Sequence, residues 1–269
     1  MRPIFVAAII LISVVAFVAC RRDPAVQDPG GNTTGFSYPD STYYLKSDTY
    51  SIPVTNNKTG TYAVFPQEGL EVHPTTGLIT IRNNDIAGPT TETGLRYRIT
   101  FTPSGGGAPE VRYINIGGIN YTDVIFYTSD ASAKIRPIYN SNRNLSLPAA
   151  TFSARREGGT EPCPINPVTG EIDMKEVLSS NFLRETQSQE ERNVIVTYTL
   201  DDASNKIQQN VLVRLYWYEN STRLAQDGNL PKDIASNAAQ VLMVGEPDPP
   251  MATLQQFKPR PPCIVIVGD

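Results

Sequence analysis

Val72-His-Pro74-Thr-Thr76-Gly77-Leu-Ile79 and Ile165-Asn-Pro167-Val-Thr169-Gly170-Glu-Ile172 are two copies of one pattern, their glycines 93 positions apart at 77 and 170. Each runs apolar, any residue, Pro, any residue, Thr, Gly, any residue, Ile. Pro fixes φ at the start of a turn, Thr caps it, Gly accepts a positive φ, and the closing Ile starts a strand. The flanking segments keep the same order around both copies. Thr61-Tyr-Ala-Val precedes the first and Thr151-Phe-Ser-Ala the second; Tyr97 to Phe101 follows the first and Val194 to Leu200 the second. Val111 to Ile116 and Val211 to Trp217 complete each set. A unit repeated in this order predicts two tandem domains of the same architecture.

The segments around the motif read as strands. Leu95, Tyr97, Ile99 and Phe101 alternate with Arg96, Arg98, Thr100 and Thr102. Val194, Val196, Tyr198 and Leu200 share one face, as do Val211, Val213, Leu215 and Trp217. Period-two alternation of this kind marks half-buried antiparallel strands. Pro103-Ser-Gly-Gly-Gly-Ala-Pro109 between two such runs reads as a hairpin loop. The expected class is all-β, two tandem sandwiches over 43–118 and 119–269, the second with a C-terminal extension. In that extension Ile234, Ala238, Val241 and Leu242 recur at helical spacing between Pro231 and Gly245, predicting a short helix. Cys263-Ile-Val-Ile-Val267 reads as a buried strand completing the second sandwich.

The doubled motif resembles the strand–turn–strand signature of cadherin-like and putative-Ig bacterial domains over roughly residues 45 to 217. That resemblance implies Ig-like sandwiches that bind or space other molecules. The acidic calcium motifs of cadherins are not visible; Asn83-Asn84-Asp85 reads as a solvated turn, so no metal or cofactor is expected.

At the start of the chain, Met1-Arg2-Pro3 leads into Ile4 to Ala19, apolar apart from Ser13. That is the length of a signal-peptide core and short for a membrane span of about 20 residues. Phe17-Val18-Ala19-Cys20 resembles the lipobox of bacterial lipoproteins. The resemblance implies cleavage after residue 19, acylation (palmitate) of Cys20, and a lipid anchor as the membrane partner. Arg21, where inner-membrane lipoproteins often have Asp, resembles an outer-membrane address. Residues 20–42, rich in Pro, Gly, Asp and Thr, are expected to be a flexible tether spanning roughly 25 Å.

With 23 Lys+Arg against 27 Asp+Glu and a net charge of −4, the chain lacks the concentrated basic surface that nucleic acid requires. A single histidine, His73, sits where the second copy has Asn166, so the turn does not need an imidazole. Without a second histidine, nucleophile–His systems are nearly excluded. Asp123, Asp130, Asp201 and Asp202 could meet only as any carboxylates might, and solvation of turns and strand ends is their expected role. No enzyme is expected. Lipidation of Cys20 leaves Cys163 and Cys263, an even pair that an oxidising compartment allows to form one disulfide, or two separate buried thiols. Trp217 is expected in the core, with Tyr216 and Tyr218 facing the other way. Exposed, those tyrosines would offer a platform for sugar rings; otherwise they are surface or inter-domain residues.

The expected role is therefore a non-catalytic envelope lipoprotein for binding or adhesion. It resembles accessory lipoproteins beside outer-membrane nutrient importers, with a glycan or another envelope protein as partner. The alternative is a structural subunit resembling lipoprotein-derived pilins, in which a terminal strand is exchanged between subunits.

Overall fold

The computed structural model describes residues 35–83, 91–130, 132–227 and 261–268. Cys20 and the helix expected over 231–244 lie outside the described residues. The fold is all-β, as its alternating patterns predict, with two short helices among the described residues.

In the first sandwich, β1 (Thr42–Tyr43), β3 (Gly60–Phe65), β6 (Leu95–Pro103) and β7 (Glu110–Ile116) form a sheet in the order β1-β7-β6-β3. Facing it, β2 (Tyr50–Ile52), β4 (Glu71–Val72) and β5 (Ile79–Ile81) pair in the order β2-β5-β4. Leu95, Tyr97, Ile99 and Phe101 of β6 all point inward and are buried against Ile79, Ile81, Ile114 and Ile116. β6 and β7 are antiparallel, joined by the predicted Pro103–Pro109 hairpin. β1 runs parallel to β7.

The tether expected as far as residue 42 is folded from residue 35 onward. Phe36 is fully buried and packs edge-on to Tyr38 and Tyr62, and Ser37 forms a bridge with Thr55. Two isolated aromatics among turn residues give no periodicity, which is why the segment reads as linker.

The second sandwich follows Gly117-Gly118 through β8 (Ile119–Asn120), which pairs with β11 (Ile138–Tyr139). Its main sheet comprises β9 (Val124–Tyr127), β12 (Ala150–Arg156), β14 (Gln189–Leu200), β15 (Gln209–Tyr218) and β16 (Cys263–Val267), in the order β12-β14-β15-β16-β9. The opposite layer is small. β10 (Lys134–Ile135) and β13 (Ile172–Asp173) form a two-stranded pair, and α1 (Met174–Ser179) extends it, burying Met174 and Val177 in the core. Asp173 caps α1 by accepting from the Lys175 N–H at 3.0 Å. After β15, α2 (Ser221–Gln226) begins at Asn220, whose side chain accepts from the Arg223 N–H at 3.0 Å. This is ordinary N-capping.

The repeated motif folds the same way twice. The Gly77 N–H donates to the His73 carbonyl at 2.8 Å, and the Gly170 N–H to that of Asn166 at 3.0 Å. Both glycines have positive φ, 69° and 67°. The Pro74 carbonyl accepts from Tyr62 N–H at 2.7 Å, and that of Pro167 from Phe152 N–H at 2.9 Å. Inside the first turn, His73 Nδ1 accepts from the N–H groups of Thr75 and Thr76; inside the second, Asn166 Oδ1 accepts from those of Val168 and Thr169. The imidazole thus does the work of an Asx side chain.

Candidate binding face

The outer face of the β1-β7-β6-β3 sheet is the surface with the most distinctive chemistry. Alternation places Phe65, Arg98 and Tyr113 outward, and the register sets Phe65 opposite Arg98 and Arg98 opposite Tyr113. These residues form one row across three strands. The strands that carry the two rings lie about 9.6 Å apart, twice the interstrand spacing. Phe65 is 42 % exposed and Tyr113 40 %, and Val111 beside Tyr113 is 37 % exposed. The Arg98 guanidinium lies over the Phe65 ring at 5.4 Å and that of Arg96 over the Tyr113 ring at 4.6 Å, cation–π distances that hold the side chains upright. The one carboxylate in these strands, Glu110, pairs with Phe101 in register, so it lies on the inner side. There it binds Lys58 Nζ at 2.6 Å and the Phe36 N–H at 3.1 Å. In a chain of net charge −4, the strand positions of this face thus carry two arginines and no acid.

The face that Tyr216 and Tyr218 were expected to open is closed. Both are buried, stacked at 6.5 Å with an interplanar angle of 11°, in a second cluster with Ile125, Leu224, Cys263, Val265 and Val267. The Tyr216 hydroxyl donates to Glu191 at 3.2 Å, and that of Tyr218 bonds to Asp227. Burial pushes the Tyr216 hydroxyl up to about 12 and raises that of Tyr218 above its ordinary value. Strand alternation gives their direction correctly, but β9 and β16 of the same sheet present Ile125, Val265 and Val267 on that side, and Leu224 of α2 packs with them. The glycan platform expected at these two residues is therefore absent. Trp217 is in the main core, its indole N–H donating to the Gln187 carbonyl at 3.0 Å.

Nor is the Cys163–Cys263 bridge made. Both thiols are buried, Cys163 in the core between the layers and Cys263 in the cluster on the other side of the main sheet. The sheet itself separates them. Burial pushes the Cys163 thiol up to about 12.

The aspartates do local work. Asp123 accepts from the Cys263 N–H at 2.8 Å, Asp130 from that of Tyr127 at 2.7 Å, and Asp202 from Ser204 and the Tyr139 hydroxyl. Lys206 lies 3.2 Å from Asp201 at the surface. Asn83 is buried, and Asn84 and Asp85 lie outside the described residues. Among the described residues, no group of three His, Cys, Asp or Glu side chains could hold a metal ion. No helix among them is long and apolar enough to cross a membrane.

A polar joint fixes the two sandwiches to each other. The Tyr198 hydroxyl, fully buried on β14, lies 2.6 Å from Thr93 Oγ1, accepts from the Ile119 N–H at 3.2 Å and donates to Gln209 at 3.0 Å. Asn140 accepts from the Gly118 N–H at 3.0 Å and donates to the Tyr44 hydroxyl at 3.1 Å, while Ser141 donates to the Gly94 carbonyl at 2.7 Å. Gly118, at φ 132°, has no room for a side chain: a Cβ there would fall 2.6 Å from the Tyr198 hydroxyl oxygen.

No family model matches the chain, and no curated protein matches it. Solved structures similar to it include Drosophila N-cadherin EC1-3 (12% identity, 67% of each chain covered, TM-score 0.25). Others are human protocadherin-24 EC1-2 (8%, covering 68% of this chain and 95% of that one, TM-score 0.24) and Rst D1-D2 (10%, 66% and 97%, TM-score 0.22). At such scores the likeness carries no functional argument. The strand pairing itself defines the class, an all-β protein of two tandem sandwiches.

Proposed function

We propose that this protein is a non-catalytic binding module, held at a bacterial outer membrane through acylated Cys20, whose ligand docks on the outer face of the first sandwich. The carrying observation is the Phe65–Arg98–Tyr113 row. Aromatic residues and Arg are the types enriched where proteins bind partners, and here they are exposed together on one face. A glycan fits this chemistry: sugar rings stack on Phe65 and Tyr113, and Arg98 between them offers paired donors to an acidic substituent. Such a role suits an accessory protein beside an outer-membrane nutrient importer.

The test is retention on immobilised polyuronate and on a neutral glucan, at low and moderate salt. The wild-type chain is expected to be retarded by the polyuronate, less so as salt rises. The Phe65→Ala/Tyr113→Ala double variant should elute unretarded with its melting temperature unchanged. Equal elution of variant and wild type would remove this face from consideration. For the anchor, labelled palmitate should enter the wild-type chain in a bacterial host and not the Cys20→Ser variant; label in the variant would refute acylation at that residue.

A further inference from the structure

We propose that a cleft in the second sandwich, between α1 and the ends of β9 and β16, binds a short apolar peptide with free ends. The inference goes beyond the binding role already drawn and does not depend on the face of the first sandwich.

The cleft follows from unequal layers. In the first sandwich a four-stranded sheet is faced by three strands. In the second a five-stranded sheet is faced by the β10-β13 pair and one helix of six residues. That layer is too narrow to cover the sheet as far as its edge strand, β9. A cavity of about 540 Å³ opens there, within the range of roughly 300–1,000 Å³ typical of small-ligand sites. Its floor is apolar: Ala133, Met174, Leu178 and Ile266 are buried, and Tyr127 flanks them half-buried. Its rim is polar, with Lys175, Ser179, Asn181 and Glu185 all exposed.

The two charges on the rim are opposite and unpaired. Lys175 and Glu185 are the charged side chains that line the cleft, and neither has an ion-pair or hydrogen-bond partner among the described residues, so they do not meet each other across it. Both stand on fixed backbone. Lys175 is in the first turn of α1, which Asp173 caps and which Met174 and Val177 anchor in the core. Glu185 follows Phe182 and Leu183, both buried in the core, and the intervening Arg184 N–H donates to Glu190 at 2.6 Å. A cation and an anion are therefore held at separate points around an apolar floor before any ligand arrives.

This arrangement selects the ligand. A molecule that satisfies both charges carries an anion at one end and a cation at the other, and one that covers the floor is apolar between them. A peptide of about two or three apolar residues has that form and suits this volume. Its carboxylate pairs with Lys175 Nζ and its ammonium with the Glu185 carboxylate, while Ser179 and Asn181 offer donors and acceptors to the peptide groups. A fatty acid would leave Glu185 unpaired, and a neutral sugar would leave the floor and both charges unmatched.

The test is a calorimetric titration of the full chain with the tripeptide leucyl-alanyl-leucine. Saturable binding is expected, and it should weaken by about tenfold for the same tripeptide acetylated and amidated at its ends, the size of effect that two rim-exposed ion pairs supply together. The Lys175→Gln/Glu185→Gln double variant, changed only at exposed positions, should keep its melting temperature and lose the same factor. The Phe65→Ala/Tyr113→Ala variant should bind the tripeptide as the wild type does, which separates this cleft from the face of the first sandwich. Wild-type protein that shows no saturable binding would overturn the proposal. Equal affinity for the free and the blocked tripeptide, or for the tripeptide in wild type and the folded Lys175/Glu185 variant, would do so too. Should that variant not fold, the comparison of free and blocked ends decides alone.

Discussion

The Tyr121 hydroxyl donates to the Gly170 carbonyl oxygen at 2.7 Å across 49 residues of chain, and the bond is buried. Its counterpart from Tyr38 to Gly77 is equally short but partly open to water. Removing a buried donor leaves the carbonyl unsatisfied, at a cost of about 1–3 kcal/mol, whereas water can replace the exposed one. Tyr121→Phe is therefore expected to lower the urea midpoint clearly, and Tyr38→Phe by less. The reverse order in equilibrium unfolding would contradict the equivalence drawn between the two turns.

His73 and Asn166 perform one task with different atoms, each accepting two backbone N–H groups. His73→Asn should leave stability within about 0.5 kcal/mol of the parent, and His73→Ala and Asn166→Ala should each cost about 1 kcal/mol. A large loss from His73→Asn would show that the imidazole does something the turn alone does not explain.

Gly170 combines positive φ with close packing: a Cβ would lie 2.7 Å from the Phe152 ring. Gly170→Ala is expected to cost about 1–2 kcal/mol from backbone strain, with the ring contact adding to it. Gly105, in the hairpin loop with nothing within 4 Å, is the matched control, and Gly105→Ala should be neutral. Indistinguishable melting curves for the two variants would refute the turn geometry.

Alkaline pH should unfold the protein from the second sandwich's core. Burial pushes the Cys163 thiol from 9.0 up to about 12, and the Tyr198 hydroxyl from 10.0 up to about 12. From about pH 9 to about 12 the unfolded chain has released these protons and the folded chain still holds them. Stability must fall as pH rises through that window, and below it these groups contribute no slope. Cys163→Val should remove the earliest part of the fall, because the unfolded thiol ionises before the phenol. Denaturant midpoints from neutral to strongly alkaline pH would check this; a midpoint rising with pH in that range would contradict the assignment. The same thiol should resist alkylation until the chain unfolds.

The sandwich architecture was legible because Leu95 to Phe101 and Val194 to Leu200 alternate strictly, and because Pro, Thr and Gly recur at fixed offsets around 77 and 170. Local chemistry dictates these features. The candidate face was only half visible: alternation exposes Arg96 and Arg98, but their alignment with Phe65 and Tyr113 depends on inter-strand register, which a single strand does not encode. Tyr216 and Tyr218 misled for a related reason. Their direction follows from strand period, while their burial depends on β16, distant in sequence. The central, parallel placement of Cys263 to Val267 is likewise a tertiary fact. Its uniformly apolar side chains say that both faces are covered, but not by what or between which strands.

The Asp123–Cys263 contact spans 140 positions of sequence, and β9 has no strand partner until β16 arrives. On a growing chain the first sandwich has all its strands once Ile116 has emerged. The second must wait, with Ile125 and Phe126 uncovered, until residue 267 has been made. Long-range closure of this kind is slow. The two halves of the molecule therefore mature on different clocks, and the later one leaves its apolar strand faces open for longer.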